Sequence, residues 1–176
     1  MGIMSLTPAV SGKDHIWGSV EAVIEFVEYG DFQCPYCGKA YPIIKRIKEE
    51  LQQTVKVIFR NFPLSKIHPQ AKGAAVAAEA AARQGKFWEM HDMLFENQKR
   101  LHNSALLEYA SMIKLDLVPF QENLFNRELH NKVDDDFMSG VKSGVNTAPT
   151  FFINGILYDG YWDENHLVDY LKSYSR

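Results

Sequence analysis

The apolar positions of this chain fall into two kinds of run. Short runs are apolar at both parities, as in strands covered on both faces. Longer runs repeat every three or four residues, as in amphipathic helices. Val23 to Tyr29 is the first short run, with Val23 and Val27 on one face and Ile24 and Phe26 on the other. Gly30 and Asp31 break it. The spacing then predicts a helix from the cysteines Cys34 and Cys37 to about Leu51, with Ala40, Ile43, Ile44, Ile47 and Leu51 as its apolar stripe. Pro35 falls in the first turn, where its missing N–H costs little, and Pro42 falls inside, where it should kink the helix. Val55 to Phe59 opens a second strand that continues to about Phe62. Two strands joined by such a helix form a right-handed parallel unit.

From His68 to about Ser139 the period of two disappears. An alanine-rich helix runs from His68 to Arg83 or Gln84 and is capped by Gly85. Four more helical stretches follow, carried by Phe87 to Phe95, Asn103 or Ser104 to Ile113, Asp116 to Phe125, and Leu129 to Val141. Period two returns at Thr150 to Ile153. Asn154-Gly155 is a strong hairpin signal, so Ile156 to Tyr158 is predicted to return antiparallel. A last helix starts at Asp163 or Glu164 and packs through Leu167, Val168, Tyr170 and Leu171. Residues 1–19 look like an arm that Ile16 and Trp17 anchor. The predicted organisation is an α/β core over 14–62 and 144–176, a helical insertion over 63–143, and an N-terminal arm over 1–13.

Composition narrows the classes. At 176 residues, with 46% apolar and 23% charged positions, the chain reads as one soluble domain with an inserted subdomain. A net charge of −3 without a dense Lys/Arg cluster argues against nucleic acid and anionic lipid as partners. No apolar run is long enough to span a bilayer, so no stable membrane insertion is expected. Met1 to Thr7 lacks the basic and apolar regions of a signal peptide, which leaves a cytosolic protein or one whose signal was removed. A myristoyl signal at Gly2 is disfavoured by Leu6.

Cys34 and Cys37 are the only cysteines. A bond between them closes so short a loop that it would hardly constrain the unfolded chain, so structural stabilisation is a poor reason for the pair. Zinc needs four ligands, and neither further cysteines nor suitably spaced histidines supply them. A c-type haem needs histidine after the second cysteine, where this chain has Gly38. No metal or cofactor is expected. Redox chemistry fits better. A helix start presents unpaired N–H groups and a positive dipole end, which favour a thiolate at Cys34. Cys34 is therefore read as the nucleophile, ionised and reachable from solvent, and Cys37 as the resolving thiol. Glu28 reads equally as a buried carboxylate beneath the pair or as a solvated residue at the strand exit. Pro149 reads as a cis proline that leaves backbone groups free for an extended substrate, or as a trans turn proline. His91 reads as a core or interface histidine in preference to a lone ligand.

Several stretches together resemble the DsbA-type thiol–disulfide oxidoreductases of thioredoxin fold, in the subgroup with Cys-Pro-Tyr-Cys and a long helical insertion. They are Glu28 to Cys37, Phe59 to Leu64, Gly85 to His91, and Gly144 to Gly155, and the likeness covers about Asp14 to Leu171. The resemblance implies a thioredoxin-like fold with a mixed central sheet. It implies Cys34 as reactive thiol, Cys37 as its partner and Pro149 as the cis proline beside them. Ala148 and Thr150 flank that proline, and Ala148 faces substrate and tunes the pair. Glu28 matches the acidic residue buried near the resolving thiol. The implied activity is oxidation of exported polypeptides bearing cysteines, in the bacterial periplasm or another extracytoplasmic space. A membrane quinone-linked thiol oxidase is an implied partner. Isomerases or reductases of the same fold are the alternative, and a non-catalytic polypeptide-binding module is a second. Two positions depart from the familiar oxidases. Pro35-Tyr36 stands where Pro-His is common, which implies a less oxidising pair, and Ala148 stands where threonine or valine is usual.

Overall fold

A computed structural model describes residues 2–174. Its elements are β1 (His15–Trp17), β2 (Ile24–Gly30), α1 (Pro35–Glu50), β3 (Val55–Asn61), α2 (Ala71–Ala82), α3 (Phe87–Glu96), α4 (Asn103–Met112), α5 (Leu117–Asn123), α6 (Arg127–Lys142), β4 (Thr150–Ile153), β5 (Ile156–Tyr158) and α7 (His166–Tyr174). The strands form one mixed sheet in the order β1-β3-β2-β4-β5. Only the β2–β3 neighbours run parallel, in register from Ile24 beside Val55 to Gly30 beside Asn61. β4 pairs antiparallel with β2, and β5 with β4. Asn154 and Gly155, at φ 49° and 78°, form the turn between β4 and β5. Residues 1, 175 and 176 of the predicted arm and core lie outside the described residues.

The residues 1–19 expected as an arm contain structure that the pattern does not announce. β1 pairs antiparallel with β3, placing His15, Ile16 and Trp17 opposite Phe59, Ile58 and Val57. Ser5 bridges Ile156, Leu6 donates to the Gly155 carbonyl at 2.8 Å, and the Met4 carbonyl accepts from the Leu157 amide at 3.0 Å. Three-residue strands are too short to show a period.

The two faces of the sheet are covered differently. On one, Ile24 and Phe26 of β2 pack with Ile43, Ile44 and Ile47 of α1 and with Leu167, Val168 and Leu171 of α7. Each such side chain, fully buried, contributes about 1.5–3 kcal/mol. On the other, Val27, Tyr29, Ile58 and Phe59 cluster with Ala74, Ala78, Met90 and Leu94 of the helices between β3 and β4, and a buried polar layer adjoins them. Asn61 donates from its backbone N–H and its Nδ2 to Asp136 at 3.0 and 2.9 Å, and from Nδ2 to Glu79 at 2.8 Å. Arg60 donates to Asp14 and to the Tyr29 hydroxyl, and that hydroxyl lies 2.8 Å from Ser139 Oγ. His15 pairs with Glu79 at 2.8 Å. Unpaired, any of these groups would cost free energy on burial; paired, they fix where the helices sit on the sheet.

Candidate active site

β2 ends at Gly30, and α1 begins five residues later with Cys34 as its N-cap. The Cys34 side chain makes no capping bond, so another residue closes the first turn. That residue is Asp31. Its Oδ1 accepts from the Gln33 and Cys34 amides at 2.7 and 3.1 Å. Its Oδ2 accepts from the Leu64 amide and meets His68 Nδ1, both at 2.8 Å. The carboxylate thus anchors the cysteine turn to the start of the helical block.

Gln98, in the loop after α3, holds the same turn from the other side. Its Nε2 donates to the carbonyls of Phe32 and Cys34 at 3.0 and 2.9 Å. Gly38 gives it room: a Cβ there would collide with Gln98 Oε1. Sequence reasoning took Asp31 for a strand breaker and gave Gln98 no role. Asp31 carried a signal, since aspartate three residues before a helix-start cysteine is a capping spacing; Gln98 carried none.

Cys34 and Cys37 are both thiols here and both buried. Cys34 is 3% exposed, which corrects the expectation of a sulfur open to solvent. Its Sγ lies 3.5 Å from the Ala148 carbonyl, toward which it donates. Pro35 is exposed and Tyr36 is 60% exposed, so the sulfur sits one layer below a surface rim formed by its own helix turn and the Ala148–Pro149 segment. The Ala148–Pro149 peptide is cis. Ala148 is buried, Pro149 and Thr150 are half-buried, and Thr150 Oγ1 donates to the Thr147 carbonyl at 2.8 Å.

The two thiols are driven apart. Cys34 is pulled down to about 6, first by the hydrogen bond from the Cys37 thiol and then by the Cys37 and Tyr36 amides, against its burial. Burial pushes Cys37 well above an ordinary thiol, and the Cys34 and Glu28 charges push the same way. The Asp31 amide donates to Cys37 Sγ at 3.4 Å. At neutral pH a thiol of pKa near 6 is about nine-tenths ionised, whereas a free thiol is ionised only to a few per cent.

Beneath the pair lies a pit of titratable groups. Glu28 is 2% exposed, which removes the solvated reading of that residue, and its Oε1 has no hydrogen-bond partner among the described residues. Burial pushes Glu28 up to about 8 against the pull of Lys48. Burial holds Lys48 down to about 8, opposed by Asp92 and Glu28. The Lys48 ammonium sits 3.9 Å from the Trp88 ring centroid and 5.5 Å from that of Trp17. His91 is a core histidine packed edge-on to Phe32 and Phe59, and burial pushes it down to about 4. A more apolar hollow of about 600 Å³, lined by Leu64, Ile67 and Phe137 among others, touches neither cysteine.

This arrangement has counterparts. A family model described as thioredoxin matches residues 10–173. The chain belongs to the thioredoxin family. Its fold is the α/β thioredoxin fold with a mixed central sheet and an inserted helical subdomain, and it carries a closely spaced cysteine pair of the kind redox chemistry uses. Among solved structures, BdbD from Bacillus subtilis in its oxidised form superposes with a TM-score of 0.83 at 22% identity, covering 97% of each chain. A thioredoxin-like oxidoreductase from Silicibacter pomeroyi gives 0.82 at 24% identity, covering 94% of each. At these identities the likeness is one of fold. Curated relatives are nearer in sequence. The Na(+)/H(+) antiporter NhaA 3 of Salinispora tropica is 42% identical over 160 residues, which are 90% of this chain and 24% of that protein. NhaA 1 of Mycolicibacterium vanbaalenii is 36% identical over 175 residues, 98% of this chain and 28% of that protein. The chain spans about a quarter of the length of these relatives. No helix among its described residues is long and apolar enough to cross a membrane.

Proposed function

We propose that this domain is a DsbA-like thiol–disulfide oxidoreductase that oxidises cysteine-bearing polypeptides outside the cytoplasm, as a member of the Cys-Pro-Tyr-Cys subgroup. In the oxidised domain a substrate thiolate attacks Cys34 Sγ. The Cys34–Cys37 bond breaks, and Cys37 departs as a thiolate and takes a proton. A second substrate thiolate then attacks the substrate sulfur of the mixed disulfide and expels Cys34 as a thiolate. Two electrons have passed from the substrate dithiol to the pair, and the substrate keeps the new disulfide. A thiol oxidase linked to a membrane quinone returns the pair to its oxidised form. Unfolded or partly folded chains are the substrates, lying extended beside Ala148, Pro149 and Thr150.

The observation that carries this reading is the opposed setting of the two sulfurs at one helix start. A Cys34 thiol pulled down to about 6 is a good leaving group, which makes the pair oxidising. Glu28, raised to about 8, is mainly protonated at neutral pH, so its charge opposes the departing Cys37 thiolate only at higher pH. The test is the reduction potential in glutathione buffers. An oxidase stands well above thioredoxin's value of about −270 mV; a potential at that value makes the domain a reductase or isomerase instead. If a binding module were the right account, Cys34→Ser would leave its activity intact.

A second reading concerns the partner and rests on the 42% and 36% identity to segments of sodium/proton antiporters. In it the polypeptide acted on belongs to an integral membrane transporter. Trapping mixed disulfides with Cys37→Ser in cells separates the two: one dominant membrane protein favours this reading, and many exported proteins favour general oxidation.

A further inference from the structure

Two anions contend for the start of α1. The Cys37 thiol, with the Cys37 and Tyr36 amides, serves the Cys34 sulfur. The Gln33 and Cys34 amides, just before them in the chain, are taken by Asp31 Oδ1. A carboxylate and a thiolate thus share one positive helix end, and each makes the other's charge less favourable.

Asp31 is not free to swing away from the pair. Its side chain is fully buried. Its Oδ2 is fixed on the far side by the Leu64 amide and by His68 Nδ1, both at 2.8 Å. Its backbone also touches both cysteines. The Asp31 carbonyl accepts from the Cys34 amide at 3.1 Å, and the Asp31 amide donates to Cys37 Sγ at 3.4 Å. Among the described residues, His68 is the one basic side chain within ion-pair distance of the carboxylate. Salt screens a charge buried in this way far less than a surface one. On Cys34 the Cys37 thiol exerts the strongest pull downward, while the Asp31 charge pushes upward.

We infer that Asp31 is a positioning residue whose charge restrains Cys34: it fixes the cysteine turn and, as a like charge beside the thiolate, keeps the pair less oxidising than the helix start alone would make it. The inference rests on the thiol-exchange reading and names what sets the potential of that same pair. Redox balance gives the sign. Reduction takes two electrons and one proton, breaks the Cys34–Cys37 bond, and leaves Cys34 as thiolate and Cys37 as thiol. The oxidised pair carries no charge, so a neighbouring anion disfavours the reduced form alone. Removing that anion stabilises the reduced form and raises the potential. A purely structural role has the opposite sign. A loosened turn would carry the Tyr36 and Cys37 amides away from the sulfur, raise the Cys34 midpoint and lower the potential.

The experiment compares the wild type, Asp31→Asn and Asp31→Glu. It follows the Cys34 midpoint by thiolate absorbance against pH, and the reduction potential in glutathione buffers. Asp31→Asn should lower the midpoint by about half to one pH unit. It should shift the glutathione exchange constant about three- to tenfold toward the reduced domain, which is ~15–30 mV more oxidising. Asp31→Glu keeps the charge at a changed length and should not raise the potential. A midpoint unchanged or raised in Asp31→Asn, or a potential raised equally in both variants, would overturn the inference. Where Asp31→Asn does not fold, His68→Leu decides. It removes the partner that offsets the Asp31 charge, so the Cys34 midpoint should rise by about 0.3; an unchanged or lowered midpoint would overturn the inference. The exchange reading fails separately, if no peptide is oxidised or if the wild-type potential stands at thioredoxin's value. In either case the direction of the Asp31→Asn shift still decides the role of Asp31.

Discussion

The rim at the start of α1 and the pit below it treat charge in opposite ways, although Cys34 and Cys37 are only three residues apart. At the rim, the Cys37 thiol and the first-turn amides pull Cys34 down to about 6. In the pit, burial dominates and pushes Cys37 and Glu28 upward and Lys48 and His91 downward. The rim has hydrogen-bond donors aimed at one atom. The pit is walled by rings and has an unpartnered carboxylate oxygen at Glu28. The lesson is that spacing in a Cys-x-x-Cys motif makes the thiols neighbours, while their surroundings make them unequal.

The largest test of that inequality exchanges each thiol for serine. Cys34→Ser should abolish peptide oxidation altogether. Cys37→Ser should leave Cys34 able to be alkylated and should accumulate mixed disulfides on non-reducing gels. Equal reactivity of the single remaining thiols would erase the distinction between rim and pit.

Glu28→Gln probes the pit through pH. The folded carboxyl is raised from 4.5 to about 8, so its native-state penalty is absent below about 4.5, grows through that window and is complete above about 8. The variant should therefore gain on the wild type as pH rises, by about 1–3 kcal/mol at pH ~8.5 and by little at pH ~4.5, in denaturant melts of the oxidised protein. A gain independent of pH would mean that Glu28 is not held protonated.

Smaller effects come from the struts of the rim. Gln98→Ala loses two hydrogen bonds to backbone carbonyls and should cost about 1–2 kcal/mol in urea unfolding. Gly38→Ala places a Cβ against Gln98 and should cost a similar amount in the wild type. In the Gln98→Ala background it should cost nothing, or stabilise by up to about 1 kcal/mol through helix propensity. Additive losses would show that the two residues do not share one contact.

What could be read from the sequence divides along the same physical line. The face of the sheet under α1 and α7 is apolar, so Ile43, Ile44, Ile47, Leu167, Val168 and Leu171 announced it by period alone. The opposite face adds to its own apolar cluster a polar layer of Arg60, Asn61, Glu79 and Asp136, and such polar residues read as solvated until their partners are known. The cysteine pair, the Asn154-Gly155 turn and the proline before β4 were legible because each has a local signature. Gln98 and the short β1 were not, because their meaning lies in contacts forty or more residues away. The burial of Cys34 was also invisible, since the Ala148 carbonyl that covers it is 114 positions distant.

The account stands most directly on the ionisation of Cys34. In reduced Cys37→Ser and in the reduced wild type, thiolate absorbance can be followed against pH, with alkylation rate as a second readout. Because the folded pKa lies below the value of 9.0 for a free thiol, Cys34 itself contributes stability that grows as pH rises from about 6 to about 9, read as the difference between the reduced wild type and reduced Cys34→Ser. The account predicts a wild-type Cys34 midpoint near 6, moved upward in Cys37→Ser by loss of the thiol hydrogen bond. A wild-type midpoint near 9, unchanged in the variant, would contradict it.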